Sequence, residues 1–287
     1  MNKIDNILWQ AKFLRENNWL KARKLLKESI KECPEDIRLY KELADLYFSK
    51  KLFLKAIQIY QDILSFNKDN SDTLFRIGNC FLSIKEYMLA LEYYNEVTEK
   101  FPELYYNKSF AYSKIGKIDE SIKTIKKLLS FKSSSEIPYI FLAELFFSQK
   151  KYSKAIEYLS KAEKLFGKQG NLYYLKGLAY SHLNKWLKSY VAYQKAEKMK
   201  VESYHFFRGF GLVCEKIGKI EQAIDNLLKS IKLAPSSATS YMDLIRIYLD
   251  HDRIMEAYSI IQHAKKNIPF SISLSLLYNQ ILQKIKQ

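Results

Sequence analysis

The sequence predicts an all-α protein built from repeated helical hairpins, and three observations carry that expectation. First, small residues recur at a near-constant step. Ala22, Ala56, Ala90, Ser121, Ala155, Ser189, Ala223 and Ala257 follow one another at 34, 34, 31, 34, 34, 34 and 34 residues. Second, a large apolar residue stands three positions before each of them: Trp19, Phe53, Tyr87, Ile118, Tyr152, Trp186, Ile220 and Ile254. Nine positions before each stands Phe13, Tyr47, Phe81, Tyr112, Phe146, Tyr180, Cys214 or Tyr248. Third, the 287 residues are 48% hydrophobic and 15% aromatic with only 8 Gly and 5 Pro, which is too apolar for disorder and too poor in turn formers for a loop-rich fold.

Each unit reads as two antiparallel helices. The first helix carries apolar residues at helical period, as in Tyr139, Leu142, Ala143 and Phe146. The second does the same, as in Ala155, Ile156, Leu159 and Ala162. Small residues at Gly78, Ala143, Gly177 and Gly211 are expected to face the Ala or Ser of the second helix, letting the two backbones approach. Gly116 and Gly218 fall at the turn inside a hairpin, where a permissive backbone is useful. Pro34, Pro102, Pro235 and Pro269 close four of the eight units and are read as stops for the second helix. One hairpin cannot bury its apolar face alone, so stacking must supply the core. Gln10 stands where the first unit needs a small residue, which marks its first helix as frayed or displaced.

Residues 3–271 accommodate eight units with three residues lost from one of them. Ser271 is placed to cap a last helix, Ile272 to Lys286, whose Leu274, Leu277, Ile281 and Ile285 form one apolar stripe. Residues 272–287 are therefore expected to close the C-terminal end of the array as a solvating helix. Lys132 to Glu136 is the most loop-like seam, but it coincides with an ordinary unit junction, so one continuous domain is expected.

The order of aromatic, Gly, Tyr, Ala, aromatic and Pro positions resembles the tetratricopeptide repeat. Gly177, Ala179, Tyr180, Trp186, Ser189 and Tyr193 fit that pattern, and so do Leu74, Ile77, Gly78, Phe81, Ala90, Tyr94 and Pro102. The resemblance implies a right-handed α-α superhelix, a solenoid whose first helices line a concave groove that holds extended or helical peptide segments of partner proteins. Carried over residue by residue, it places Lys41, Asp45, Phe75, Asn79, Tyr106, Phe110, Ile140, Glu144, Tyr174, Leu178, Arg208 and Leu212 on the inner face. The middle of this groove is aromatic and apolar and its ends are charged, which suits a peptide with hydrophobic anchors. The Lys and Asn sets with which chaperone-binding relatives grip a C-terminal carboxylate are incomplete here, because Asp45 follows Lys41. The polar code of hairpin arrays that read RNA is absent as well, since Phe75, Phe110, Ile140 and Leu178 occupy the reading positions.

Charge offers a different partner. The net charge is +16, and residues 101–200 alone carry +11. Lys117, Lys151, Lys185 and Lys219 recur in step, as do Lys127, Lys161, Lys195 and Lys229. Stacking is expected to align them into a basic outer ridge able to meet nucleic acid, an anionic membrane surface or an acidic partner. Being rich in Lys and poor in Arg, such a ridge suits diffuse attraction more than bidentate readout.

Catalytic patterns are weak throughout. His182, His205, His251 and His263 show no ligand spacing, so neither a metal nor a cofactor is expected. Cys214 reads as packing, and Gly209-Phe210-Gly211 is a bare G-x-G within a helix. Asn107-Lys108-Ser109 matches a glycosylation sequon that means nothing without a secretory signal. Glu35-Asp36 and Asp119-Glu120 fall at helix starts, where acid complements the helix dipole. Cys33, Cys80 and Cys214 lie far apart and cannot all pair, which favours a reducing, cytoplasmic setting. The N-terminal ten residues lack a signal-peptide core, and the apolar run Ile137 to Phe147 is too short to cross a membrane. The functional expectation is a non-enzymatic adaptor or scaffold that binds one or more proteins through its groove.

Overall fold

The computed structural model describes residues 2–66, 70–131 and 135–286. Among them run seventeen helices: α1 (Lys3–Asn17), α2 (Trp19–Glu32), α3 (Ile37–Ser49), α4 (Phe53–Phe66), α5 (Ser71–Ser83), α6 (Tyr87–Glu96), α7 (Pro102–Lys114), α8 (Ile118–Leu128), α9 (Ile137–Ser148), α10 (Tyr152–Phe166), α11 (Gly170–His182), α12 (Trp186–Lys198), α13 (Tyr204–Lys216), α14 (Ile220–Leu233), α15 (Ala238–Asp250), α16 (Ile254–Asn267) and α17 (Ile272–Lys286). Each odd-numbered helix from α1 to α15 pairs with the helix that follows it, so the architecture is all-α and of the helical-hairpin solenoid class. Two compact units are formed, Met1–Ser134 and Ser135–Gln287. Lys132 to Ser134 of the expected seam lie outside the described residues.

The small-residue slots do what the period asks of them. Ala22, Ala56, Ala90, Ser121, Ala155, Ser189, Ala223 and Ala257 are all fully buried. Where the slot holds serine, the hydroxyl finds a backbone carbonyl of the opposing helix: Ser189 donates to the Gly177 carbonyl at 2.7 Å and Ser121 to that of Ser109 at 2.7 Å. The first-helix glycines have a further role. A Cβ on Gly78 would meet the Tyr94 ring at 2.4 Å, and one on Gly177 the Tyr193 ring at 2.9 Å. These glycines thus make room for a large second-helix ring as well as for a small residue. Tyr60, Tyr94, Tyr193 and Tyr241 are among the largest fully buried side chains, each contributing roughly 2 to 3 kcal/mol of apolar transfer.

The hairpin turns share one device. Gly116 and Gly218 take φ of +78° and +77°, and the same slot holds Lys51, Lys85, Lys150, Asn184 and Asp252 at φ between 56° and 67°. The first hairpin lacks it: α1 and α2 are joined through Asn18 alone, at φ −155°. That shorter turn rotates α1 by one position. Ala11, not Gln10, is the buried small residue, Leu14 is half-buried, and Phe13 stands 62% exposed beside Trp9. The helix is displaced in register without losing its turns.

The prolines act less uniformly than expected. Pro34, Pro235 and Pro269 do follow the ends of α2, α14 and α16, but Pro102 opens α7 as its first residue. Its missing N–H costs nothing in the first turn of a helix. The three-residue deletion falls just before it, where α6 stops at Glu96 after only 10 residues. In α17, Leu274 and Ile281 are buried and the Ser271 hydroxyl accepts from the Leu274 N–H at 3.4 Å. Its outer side is not wholly solvating, because Ile272 and Leu276 are exposed and Ile285 emerges from the stripe into solvent.

Candidate binding surface

In the first unit the expected inner positions come from α3, α5 and α7. Lys41 pairs with Asp72 at 2.7 Å, and Asp45 accepts from Arg76 at 2.7 Å and from the Tyr60 hydroxyl. Arg76 also reaches Asp72 at 3.0 Å, and Arg15 donates to the Asp45 carbonyl at 3.1 Å. Burial alone would raise the Asp72 carboxyl, but Lys41 and Arg76 hold it below the ordinary range. One hairpin on, Asn79 accepts from the Tyr94 hydroxyl at 2.7 Å and from the Asn107 amide at 2.8 Å. Phe75 packs edge-on against Phe101 at 4.9 Å between ring centres and lies 5.8 Å from the Tyr94 ring. Tyr106 and Phe110 are half-buried, the latter beneath the Lys114 ammonium at 4.9 Å.

In the second unit the inner positions come from α9, α11 and α13. Ile140, Leu178 and Leu212 are half-buried. Tyr174 packs against Phe206 at 5.8 Å, and burial raises its hydroxyl above the ordinary value. Arg208 is committed to Asp243 at 2.6 Å. Glu144 is exposed, has no ion-pair or hydrogen-bond partner among the described residues, and is lifted above the usual carboxylate range by the desolvation its neighbours impose. Of the charged side chains expected on the inner face, Lys41, Asp45 and Arg208 are thus spent inside the chain.

Sequence reasoning overlooked the partners that spend them, Asp72, Arg76 and Asp243, and with them Asn107, which holds Asn79, and the bidentate pair of Arg246 with Glu215 at 2.7 and 2.8 Å. A signal for them exists. Lys41 and Asp72, Asp45 and Arg76, and Glu215 and Arg246 are all opposite charges 31 residues apart, one helical turn short of the 34-residue period. That is one offset at which consecutive first helices touch, although Arg208 and Asp243 meet at 35.

Lys117, Lys151, Lys185 and Lys219 occupy the N-cap positions of α8, α10, α12 and α14, in the hairpin turns and not along the body of the second helices. A cation there opposes the helix dipole, so helix stability does not explain it. Lys151 donates to Gln149 at 2.7 Å, and Lys219 donates to the Tyr190 hydroxyl at 2.8 Å while lying over that ring. Lys161 and Lys229 pair with Glu157 and Asp225 on their own helices, at 2.7 and 2.8 Å.

The three cysteines are free thiols. Burial pushes Cys80 and Cys214 up to about 12, so neither is a thiolate near neutrality. His263 meets the Tyr241 hydroxyl at 3.1 Å, and His182 stacks on Tyr152 at 4.5 Å. Among the described residues no group of three or more His, Cys, Asp or Glu side chains is arranged to hold a metal ion, and no helix is long and apolar enough to cross a membrane.

Tetratricopeptide-repeat family profiles match residues 72–104, 102–134, 138–168 and 209–237. A TPR repeat-containing protein of Methanocaldococcus jannaschii is 30% identical over 146 residues, which is 50% of this chain and 25% of that protein. A DnaJ homolog subfamily C member 7 homolog of Dictyostelium discoideum is 25% identical over 206 residues, 60% of this chain and 38% of that protein. The chain spans well under half the length of these relatives. Among solved structures, the C-terminal part of a TPR repeat-containing protein from Cytophaga hutchinsonii superposes with a TM-score of 0.67 at 16% identity, covering 80% of this chain and 96% of that one. The TPR protein YrrB, described as having an unusual peptide-binding site, gives 0.54 at 16% identity over 64% of this chain and 96% of its own.

Proposed function

We propose, from the premise that this chain is a tetratricopeptide-repeat protein, that it is a non-enzymatic adaptor whose first-helix faces bind peptide segments of partner proteins. Proteins of this family generally mediate protein–protein interactions. The observation that carries the reading here is how the inner residues are spent. Lys41, Asp45 and Arg208 are consumed by intrachain ion pairs, while Phe75, Phe110, Tyr174 and Leu178 remain half-exposed and Glu144 remains unpaired. Partly exposed aromatic rings on rigid helices are good anchors, because little side-chain entropy is lost when a ligand covers them. The fitting partner carries apolar side chains and a cationic or donor group for Glu144. On this reading residues 3–271 act as eight repeats in one array with 272–287 as its end helix, and three thiols suit a reducing, cytoplasmic setting.

The test is affinity capture with the intact chain and with a Tyr106→Ala/Phe110→Ala variant, partners being identified by difference. A partner that binds the parent directly as a purified protein and is lost from the variant, with helical circular dichroism unchanged, supports the groove. Equal capture by both sinks it.

A further inference from the structure

A cavity of about 370 Å³ lies away from the inner face, between α10 and α12 and floored by α11. Its floor contains a departure from the repeat. Lys176 stands at the slot that α3, α5, α9, α13 and α15 fill with Leu43, Ile77, Leu142, Phe210 and Leu244, all buried, whereas α7 has Lys108 there. The Lys176 side chain is only 8% exposed, and its ammonium bonds to the Glu163 carboxylate, which also accepts from the Tyr173 hydroxyl. Desolvation would raise the Glu163 carboxyl, but these two donors hold it below its ordinary range. The single acid of the cavity is thereby neutralised by the buried lysine.

Two more cations surround it. Lys195 lies over the Tyr173 ring at 5.2 Å and Lys188 is exposed, and neither forms an ion pair among the described residues. Beside them on the same helix, one turn apart, stand Leu187 at 71% and Val191 at 49% exposure. Apolar side chains left in water beside ammonium groups that form no ion pair among the described residues define the complementary ligand: apolar on one edge and anionic on the other.

We propose that this α10–α12 cavity is a second docking site, taking an acidic peptide segment whose apolar side chain sits against Leu187 and Val191 and whose carboxylates meet Lys188 and Lys195. The site is independent of the inner groove and does not rest on the reading given above for it. Lys176 and Glu163 set its floor and are not themselves contacts for the ligand's charge.

The experiment uses the full chain and a fluorescein-labelled peptide of about 16 residues, four to five helical turns, made of Glu with Leu at every third or fourth position. A Lys-for-Glu version and a single-stranded DNA of similar length serve as comparators. Fluorescence anisotropy is expected to show binding of the acidic peptide alone, weakening about tenfold between about 50 and about 200 mM salt. Val191→Asp and Lys195→Glu, both at exposed positions, should each weaken it about tenfold. Lys27→Glu on α2 and Tyr106→Ala/Phe110→Ala should leave it within about twofold, so that failure of this site is distinguishable from failure of the groove. Helical circular dichroism and Tm establish that the variants are folded. The proposal is overturned by any of three results: no binding of the acidic peptide, equal binding of the DNA, or indifference of Val191→Asp and Lys195→Glu.

Discussion

The two units hold a buried second-helix tyrosine at the same repeat position and settle its hydroxyl in opposite ways. In the first, a buried second-helix tyrosine donates to a residue of its own first helix, which is bridged to the next one: Tyr60 to Asp45 and on to Arg76, then Tyr94 to Asn79 and on to Asn107. In the second, the equivalent tyrosine is Tyr193, and the two partner positions hold Leu178 and Gly209. Its hydroxyl is buried with no hydrogen-bond partner among the described residues, and it lies 2.5 Å from where a Cβ on Gly209 would be. The ring packs instead among aromatic neighbours, stacked on Phe210 at 5.4 Å between centres. The Tyr60 and Tyr94 positions of the first unit are therefore fixed by polar bridges between hairpins, whereas the Tyr193 position of the second is fixed by ring packing at the cost of an orphaned hydroxyl, although the same unit bridges α13 to α15 through Arg208–Asp243 and Glu215–Arg246.

The largest effect that would break this contrast is expected at the polar wall. Asp45→Ala removes the acceptor shared by Tyr60 and Arg76 and should cost about 3 kcal/mol in urea unfolding, because the hydroxyl of the buried Tyr60 loses its partner and Arg76 keeps only Asp72. A loss under about 1 kcal/mol would mean that the bridges contribute little.

Gly209→Ala comes next. Overpacking against the Tyr193 hydroxyl should cost about 2 kcal/mol, offset by about 1 kcal/mol of helix propensity. In a Tyr193→Phe background the clash is relieved and the same substitution should become neutral or stabilising, a coupling of about 2 kcal/mol in the double-mutant cycle. Additive effects would show that the hydroxyl does not fill the space over Gly209.

The two tyrosines sharpen the contrast directly. Tyr94→Phe should cost about 1 kcal/mol by deleting the bond to Asn79, whereas Tyr193→Phe should cost nothing or stabilise by a few tenths, since its hydroxyl is already unpaired. Equal losses at the two sites would erase the distinction.

The smallest effect lies in pH. The Arg246 hydrogen bonds hold the Glu215 carboxyl below its unfolded value, outweighing desolvation. A depressed carboxyl stabilises the fold fully above its unfolded pKa, near 4, and loses that contribution as pH falls through the lower folded value. Glu215→Gln should therefore flatten the acid limb of the stability curve below about pH 4, while changing its slope little near neutrality. An acid limb identical to the parent's would remove Glu215 from the account.

Much of the fold was legible in the residues because the repeat is a property of period and size. The buried small slots and the αL turn at Gly116 and Gly218 follow from spacing alone. The register of α1 was not legible, because it depends on a turn of one residue where the other hairpins have three, and counting from Ala22 points to Gln10 when Ala11 is the residue that packs. The inner positions were named in the sequence, but which of them are free was not. Asp45 and Arg208 look like ligand groups until their partners on the next helix are seen. The αL slot was only half visible, since five of its seven occupants are Lys, Asn or Asp, held at positive φ by the hairpin around them.

What the chain determined by itself is the hairpin: a thirty-four-residue rhythm of small and large side chains fixes which helix faces meet, because close packing tolerates only those sizes at those positions. What tertiary structure alone decided is the state of the polar groups. Whether a carboxylate, an ammonium or a phenol is spent within the chain or left for a ligand depends on residues one hairpin away, brought within about 3 Å only when the hairpins stack.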